Sequence, residues 1–404
     1  MASSSMADLS GVENITRTFK STLEKKGLTG LQSELDESLK CWKNTKIDIA
    51  VTGASGAGKS TFINSVLGLA GNHAAPTGIT ETTVDVKSYT SKLYSNVVFW
   101  DLPGVGTPTF PRDKYVHEVK LETFDFFILL TQTSFSENDV WLANQIQQLG
   151  KGYFLVRSHV GQDIRNYKKA HPKCTDPNKQ LSVIRHNCEK TLKEDTENLT
   201  VIPHNFEQIR VYLIDSFILT DFDFNTLVDD LIKLAGGAKA NVLVSALSSA
   251  TQEIIDKKFH GLLHRILCVS MQAGLNCTVY NPEHVIKDVF AQESKFYREV
   301  FEIDDKTLGS VPELLNLSRL GVDIMGTTLE RISQNLIQSH IERFQKCIHI
   351  LKKKNNPNFD DLNISSKSYV KMIYDILLLY MKCMHLLASN LFQNVPKQVV
   401  NKHL

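Results

Sequence analysis

Gly53-Ala54-Ser55-Gly56-Ala57-Gly58-Lys59-Ser60 lies between a strand-like run, Lys46-Ile47-Asp48-Ile49-Ala50-Val51-Thr52, and a helix-like run, Thr61-Phe62-Ile63-Asn64-Ser65-Val66-Leu67. A strand, a glycine loop, Lys-Ser and a helix, in that order, form the arrangement that cradles nucleotide phosphates. The glycines let backbone N–H groups converge on phosphate oxygens, and the helix start adds the positive end of its dipole. Lys59 is placed to reach the terminal phosphates, and the Ser60 hydroxyl to ligate Mg²⁺. A chance match of the whole pattern at this composition is on the order of one in a hundred. A merely tight βα turn is therefore the minor reading.

Downstream, the apolar run Asn96-Val97-Val98-Phe99-Trp100 ends in Asp101-Leu102-Pro103-Gly104. A DxxG element at the end of such a strand, about forty residues after a phosphate loop, is the second half of a nucleotide switch. Asp101 is expected to hold Mg²⁺ through water, and the Gly104 N–H to meet a γ-phosphate. Between the two elements lies Ala75-Pro76-Thr77-Gly78-Ile79-Thr80-Glu81-Thr82-Thr83. One threonine of this stretch would complete the metal shell, and spacing alone does not choose among the four. Ras-like hydrolases place a water-orienting Gln just after the DxxG glycine. Here Val105 stands there, so hydrolysis needs another residue or a second subunit.

Guanine recognition normally uses an (N/T)KxD element after the next strand, with the Asp accepting two hydrogen bonds from the base edge. After Tyr153-Phe154-Leu155-Val156-Arg157 the chain reads Ser158-His159-Val160-Gly161-Gln162-Asp163. Gly161 offers no acceptor, and His159 only partly imitates a lysine shaft. Two lost charge-assisted bonds at ~1.5–3 kcal/mol each amount to roughly 10²–10⁴-fold in selectivity. Asp163 is the carboxylate weighed as a substitute; otherwise it is an ordinary helix-start or loop acid. Restoring Lys at 159 and Asp at 161 is expected to sharpen the preference for GTP over ATP.

Around this centre, strands at Val84–Tyr89, Phe124–Thr131, Gly152–Arg157 and Arg210–Ile214 alternate with helices at Asn138–Gln148, Lys179–Lys193 and Phe224–Leu234. That alternation implies a mostly parallel sheet with helices on both faces. Residues 9–43 read as helical with breaks at Gly27 and Gly30. Beyond Gly236-Gly237 helical periodicity takes over, at about 240–275, 283–302, 305–318, 326–353 and 366–392. The expected organisation is an N-terminal helical segment (1–45), a G domain (46–236) and a C-terminal helical domain (237–404). The last helix reads first as the core of an α bundle and second as an amphipathic membrane or partner helix.

Of the 404 residues, 42% are hydrophobic and 22% charged, as in ordinary globular proteins. A net charge of +1 gives no electrostatic case for nucleic acid. The seven cysteines (41, 174, 188, 268, 277, 347, 383) show no CxxC spacing, which favours reduced thiols in a cytoplasmic setting. Ala2 stands where myristoylation requires glycine.

Taken together, these stretches resemble the immunity-related, interferon-inducible GTPases. The likeness rests on Ile49–Gly53 with Gly56–Asn64, on Ala75–Gly78 with Glu81–Thr83, and on Trp100–Thr107. It extends to Phe124–Ile128, Phe135–Asp139 and, in the helical region, Lys295–Phe301 with Asp304-Asp305. It implies a Ras-like G domain between helical segments, and GTP-dependent self-assembly on intracellular membranes in cell-autonomous defence. Carried onto matching positions, Gly53, Ala54, Ser55, Gly56, Ala57, Gly58, Lys59, Ser60 and Thr61 bind phosphate and Mg²⁺. Thr77, Gly78, Ile79, Thr80, Glu81, Thr82 and Thr83 form switch I, and Asp101, Leu102, Pro103 and Gly104 form switch II. The family's base motif falls on Ser158–Gly161 without its Lys and Asp, and its later Ser-Asn contact falls near Asp215-Ser216, also altered.

The reading is therefore an α/β Ras-like P-loop G domain joined to an all-α domain built from both ends of the chain. GTP or GDP with Mg²⁺ is the expected cofactor, the metal held by Ser60, Thr77 and Asp101. The base is expected to meet His159, Val160, Gly161 and Ser216. Expected partners are further copies of the chain or related family GTPases, with peripheral contact to endoplasmic reticulum, Golgi or vacuole membranes. Slow hydrolysis in a dimer is the leading activity. A pseudo-GTPase that regulates intact relatives, and a nucleotidase with relaxed base choice, are the alternatives.

Overall fold

The loop-preceding strand is β1 (Ile47–Gly53), every residue of it buried, at the centre of a six-stranded sheet. The computed structural model describes residues 2–77, 85–91, 93–107, 109–172, 176–194, 210–304 and 359–394. The other strands are β2 (Lys87–Thr90), β3 (Val97–Asp101), β4 (Phe126–Thr131), β5 (Gly152–Arg157) and β6 (Val211–Leu213). Their spatial order is β2-β3-β1-β4-β5-β6, with only β2 antiparallel. A strand paired on both sides and covered on both faces must be apolar almost throughout. That is why β1 and β4 read as continuous apolar runs.

One face carries Ala50, Phe127, Leu129, Tyr153, Leu155, Val211 and Leu213 against α3 (Arg112–Val119), α4 (Glu137–Gln148), α5 (Val160–Ala170) and α6 (Pro177–Glu194). The alternating residues Ile49, Val51, Ile128, Leu130 and Val156 are also buried, as a two-residue side-chain period requires. Onto the strands pack α2 (Lys59–Leu67), α7 (Phe224–Ala235) and α8 (Gly237–Ala246). In register, Val51 faces Asp101, Gly53 faces Leu130, and Arg157 faces Thr131 and Leu213. The carboxyl ends of five strands thus meet along one edge, where open α/β sheets bind ligands.

Residues 45–254 form this unit. The division lies later than the boundary expected at 236/237. Gly236 and Gly237 do turn the chain (φ 60° and 48°), yet α8 stays with the sheet. Val242, Leu243 and Val244 are buried, Lys239 pairs with Asp125 at 2.9 Å, and the Ser248 N–H donates to Val66 O.

The chain before and after forms the second, helical unit, with α1 (Ala2–Asn44), α9 (Gln252–Val279), α10 (Pro282–Val300) and α11 (Phe359–Asn394). Phe19, Leu31 and Leu35 of α1 pack with Cys268 of α9. Arg265 grips Glu293 through two bonds of 2.9 and 2.6 Å and lies over the Phe296 ring. Of the two glycine breaks expected in α1, only Gly27 is non-helical. The run 240–275 divides into α8 and α9. The helices read at 305–318 and 326–353 lie outside the described residues. Segment Tyr369–Asn390 of α11 is long and apolar enough to cross a membrane, and half of it is buried. Its Ile373, Ile376, Leu377, Met381 and Met384 lie in the core, while Leu379 and Leu386 are exposed, so one face fits the bundle reading.

Gly53 has φ 132°, and a Cβ there would sit 1.9 Å from the Leu130 carbonyl oxygen. Gly53→Ala is therefore expected to lower unfolding stability by about 2 kcal/mol or more, read from the urea midpoint. An unchanged midpoint contradicts the close approach of β1 and β4.

Candidate nucleotide site

Gly58, left-handed at φ 85°, starts α2 directly at Lys59. The amides of a helix start thereby face the loop, with the dipole end that favours anions. Lys59 is buried, and its Nζ donates to the carbonyls of Gly53 and Ala54, both at 3.1 Å. Ala54, Ser55 and Gly56 are exposed, while Ala57 and Ser60 are buried. The Ser60 hydroxyl donates to Asp101 Oδ2 at 2.5 Å. Two hard oxygen donors, far apart in sequence, therefore meet at the loop. This set suits Mg²⁺, which takes one or two protein oxygens and completes its octahedron with water and phosphate.

The Asp101–Gly104 stretch is held to the end of β1 and its loop by hydrogen bonding and packing. The Leu102 N–H donates to Val51 O at 3.0 Å, and Leu102 is wholly buried. A Cβ on Gly104 would lie 3.3 Å from Ser55 N, so the DxxG backbone rests on the phosphate loop. Tyr115, on α3, donates to Pro103 O at 2.9 Å and contacts Thr52 Oγ1 at 3.1 Å. Burial pushes its hydroxyl pKa well up, so it stays a neutral hydroxyl. Neither α3 nor α5 was expected. The eight residues of α3 are mostly polar, and α5 begins inside the stretch read as a base loop. Val105 is buried in the sheet core.

Asn64 fastens the chain before the threonines of 77–83. Its amide donates to Ala75 O at 2.9 Å and accepts from Ala75 N at 2.7 Å. Thr77 follows as an exposed residue; Gly78, Ile79, Thr80, Glu81, Thr82 and Thr83 lie outside the described residues.

Ser158 takes a positioning role that the sequence reading missed. Its Oγ lies 2.7 Å from Ala57 O and 3.0 Å from Thr131 O, tying the β5 loop to the phosphate loop. Its signal was its place as first residue of the degenerate motif. His159 is left-handed (φ 59°) at the start of α5. Its Nε2 is 3.1 Å from where a Gly58 Cβ would be, so the imidazole borders the loop. Val160 is buried. Asp163 pairs with the buried Arg157 guanidinium, and this ion pair removes it as the substitute carboxylate. At Gly161 an added Cβ would fall 2.0 Å from Asp215 Oδ2. Restoring Asp at 161 with Asp215 in place would put two carboxylates in one volume, so that substitution alone does not rebuild a reader. Ser216 is buried, its Oγ without a hydrogen-bond partner among the described residues.

A family model for the interferon-inducible GTPases (IIGP) matches residues 12–389. The chain is 32% identical over 305 residues to interferon-gamma-inducible GTPase 10 of Mus musculus, covering 74% of this chain and 71% of that one. It is 32% identical over 301 residues to the mouse T-cell-specific guanine nucleotide triphosphate-binding protein 2, covering 73% and 70%. Against mouse interferon-inducible GTPase 1 it is 30% identical over 301 residues, covering 73% and 71%.

Tyr115→Phe removes the clasp on Pro103 and is expected to cost about 1–3 kcal/mol in urea unfolding; a loss near zero contradicts the clasp. Burial, then Arg157, holds the His159 pKa below its ordinary 6.5, against the raising pull of Asp215 and Asp163. The unfolded chain therefore binds this proton more readily. The folded state keeps its full stability above 6.5 and loses it as pH falls toward the lowered value. His159→Gln is expected to flatten the fall in stability between about pH 7 and pH 5. An equal slope in both proteins contradicts it.

Proposed function

The chain belongs to the interferon-inducible GTPase family, and from that premise we propose that it binds GTP and GDP with Mg²⁺ at Gly53–Thr61. The observation that carries this is the joining of Lys59, Ser60 and Asp101 at the ends of β1 and β3. Lys59 and the helix-start amides would hold the phosphate oxygens. Ser60, Asp101 and Thr77 would hold the metal, which neutralises phosphate charge when bound. We further propose nucleotide-dependent assembly with other copies of the chain or with related GTPases, on the cytoplasmic face of endoplasmic reticulum, Golgi or vacuole membranes. Hydrolysis would be slow and confined to the assembly, because the side chain after Gly104 is a buried valine with no hydrogen-bonding group for a water.

That same valine favours a second reading, a nucleotide-binding but non-hydrolysing partner of active relatives. Phosphate release from GTP, followed over a series of protein concentrations with site occupancy measured, separates the two. A specific rate that climbs with concentration supports the assembled GTPase. A rate near zero at full occupancy leaves the regulatory partner. Lys59→Ala is expected to weaken GDP·Mg²⁺ binding about tenfold to a hundredfold in calorimetric titration, and chelation of Mg²⁺ to weaken GTP binding in wild type. Undiminished binding in the Lys59 variant overturns the site.

A further inference from the structure

We propose that Asp215, just beyond the C-terminal end of β6, supplies the base-reading carboxylate that Gly161 lacks. The inference rests on the nucleotide-binding reading above and deepens it. An aspartate at 161 would begin its side chain at a Cβ that falls 2.0 Å from Asp215 Oδ2 and 3.1 Å from its Cγ. The Asp215 carboxylate therefore occupies the volume into which a 161 side chain would start. A glycine at 161 is what leaves it room. The carboxylate is thus offered from just beyond β6 and not from the start of α5.

Five further features favour a ligand-facing role over a simple surface ion pair. Asp215 is 2% exposed, so its charge is desolvated unless something accompanies it. The Phe217 N–H, two residues on, donates to Oδ1 at 3.0 Å and fixes the carboxylate plane. Arg165, half exposed, approaches Oδ2 only to 3.7 Å, beyond hydrogen-bond length. The other nearby guanidinium, Arg157, is engaged by Ser158 O and Asp163. The neighbouring Ser216 Oγ is buried and unpartnered among the described residues, so a second polar group there has hydrogen-bonding capacity to spare.

The chemistry that matches is a guanine edge, whose N1–H and N2–H₂ donors face a pair of carboxylate acceptors. Adenine presents an acceptor at N1. Xanthine presents a carbonyl in place of the amine, and so matches an amide that accepts with its oxygen and donates with its nitrogen.

Calorimetric titration of the full chain with GDP, XDP, ADP and inorganic tripolyphosphate, all with Mg²⁺, tests this. Wild type is expected to prefer GDP. Asp215→Asn is expected to lose about tenfold to a hundredfold in GDP affinity and to prefer XDP, with tripolyphosphate binding unchanged. Unaltered GDP preference in that variant, or an equal loss of GDP and XDP, overturns the proposal. Should the variant fail to fold by circular dichroism, Gly161→Asp combined with Asp215→Ser decides. That pair moves the carboxylate back and is expected to keep the guanine preference, whereas loss of base preference overturns it. Wild type that binds neither GDP nor tripolyphosphate overturns the nucleotide reading itself, which is a different failure.

Discussion

The passage of β1 between two parallel neighbours is the constraint on which the site depends. β1 is paired to β3 on one side and β4 on the other and is buried throughout. Its last residue leaves the sheet where the Leu130 carbonyl allows no side chain. Only glycine makes that exit, and the turn it permits brings Lys59 and Ser60 back over the strand ends. The same register delivers Asp101 to Ser60. Ser60, Asp101, Lys59 and the start of α2 thus converge because of strand pairing.

The sheet and the phosphate half of the site could be read in the residues because each signal there is local. Continuous apolar runs mark doubly covered strands, and the Gly-rich loop and DxxG carry fixed spacing from those strands. The limits that the sequence predicts for β5 coincide with the observed ones, and those for β3 and β4 agree to within two residues. The parts that escaped depend on contacts distant in the chain. Tyr115 sits on a short polar helix whose role appears only when its hydroxyl reaches Pro103 and Thr52. Ser158 is the first residue of a degenerate motif in the sequence, and its tie to the loop exists only through the distant contact of its Oγ with Ala57 O. The unit boundary escaped for a related reason: two glycines mark a turn, and burial decides to which side the next helix belongs.

The base half of the site shows how a missing residue misleads when sequence is read in one dimension. Position 161 has no acceptor, and the nearest acid along the chain, Asp163, is held by Arg157. The acid that fills the space is Asp215, on the adjacent parallel strand end, with Val160 N bonded to Ile214 O beside it. The segments that follow neighbouring strands of a parallel sheet lie side by side at one edge, so residues distant in the chain meet there. Gly161 and Asp215 are complementary in space: the first leaves the room that the carboxylate of the second occupies.

The most direct measurement is the distance from Asp215 Oδ2 to the exocyclic amine of the base in a crystal structure with a non-hydrolysable GTP analogue and Mg²⁺. The account places the phosphates on Gly53–Ser60 and this distance at about 3 Å. Phosphates bound away from that loop, or a base amine well beyond hydrogen-bond reach of Asp215, would contradict it.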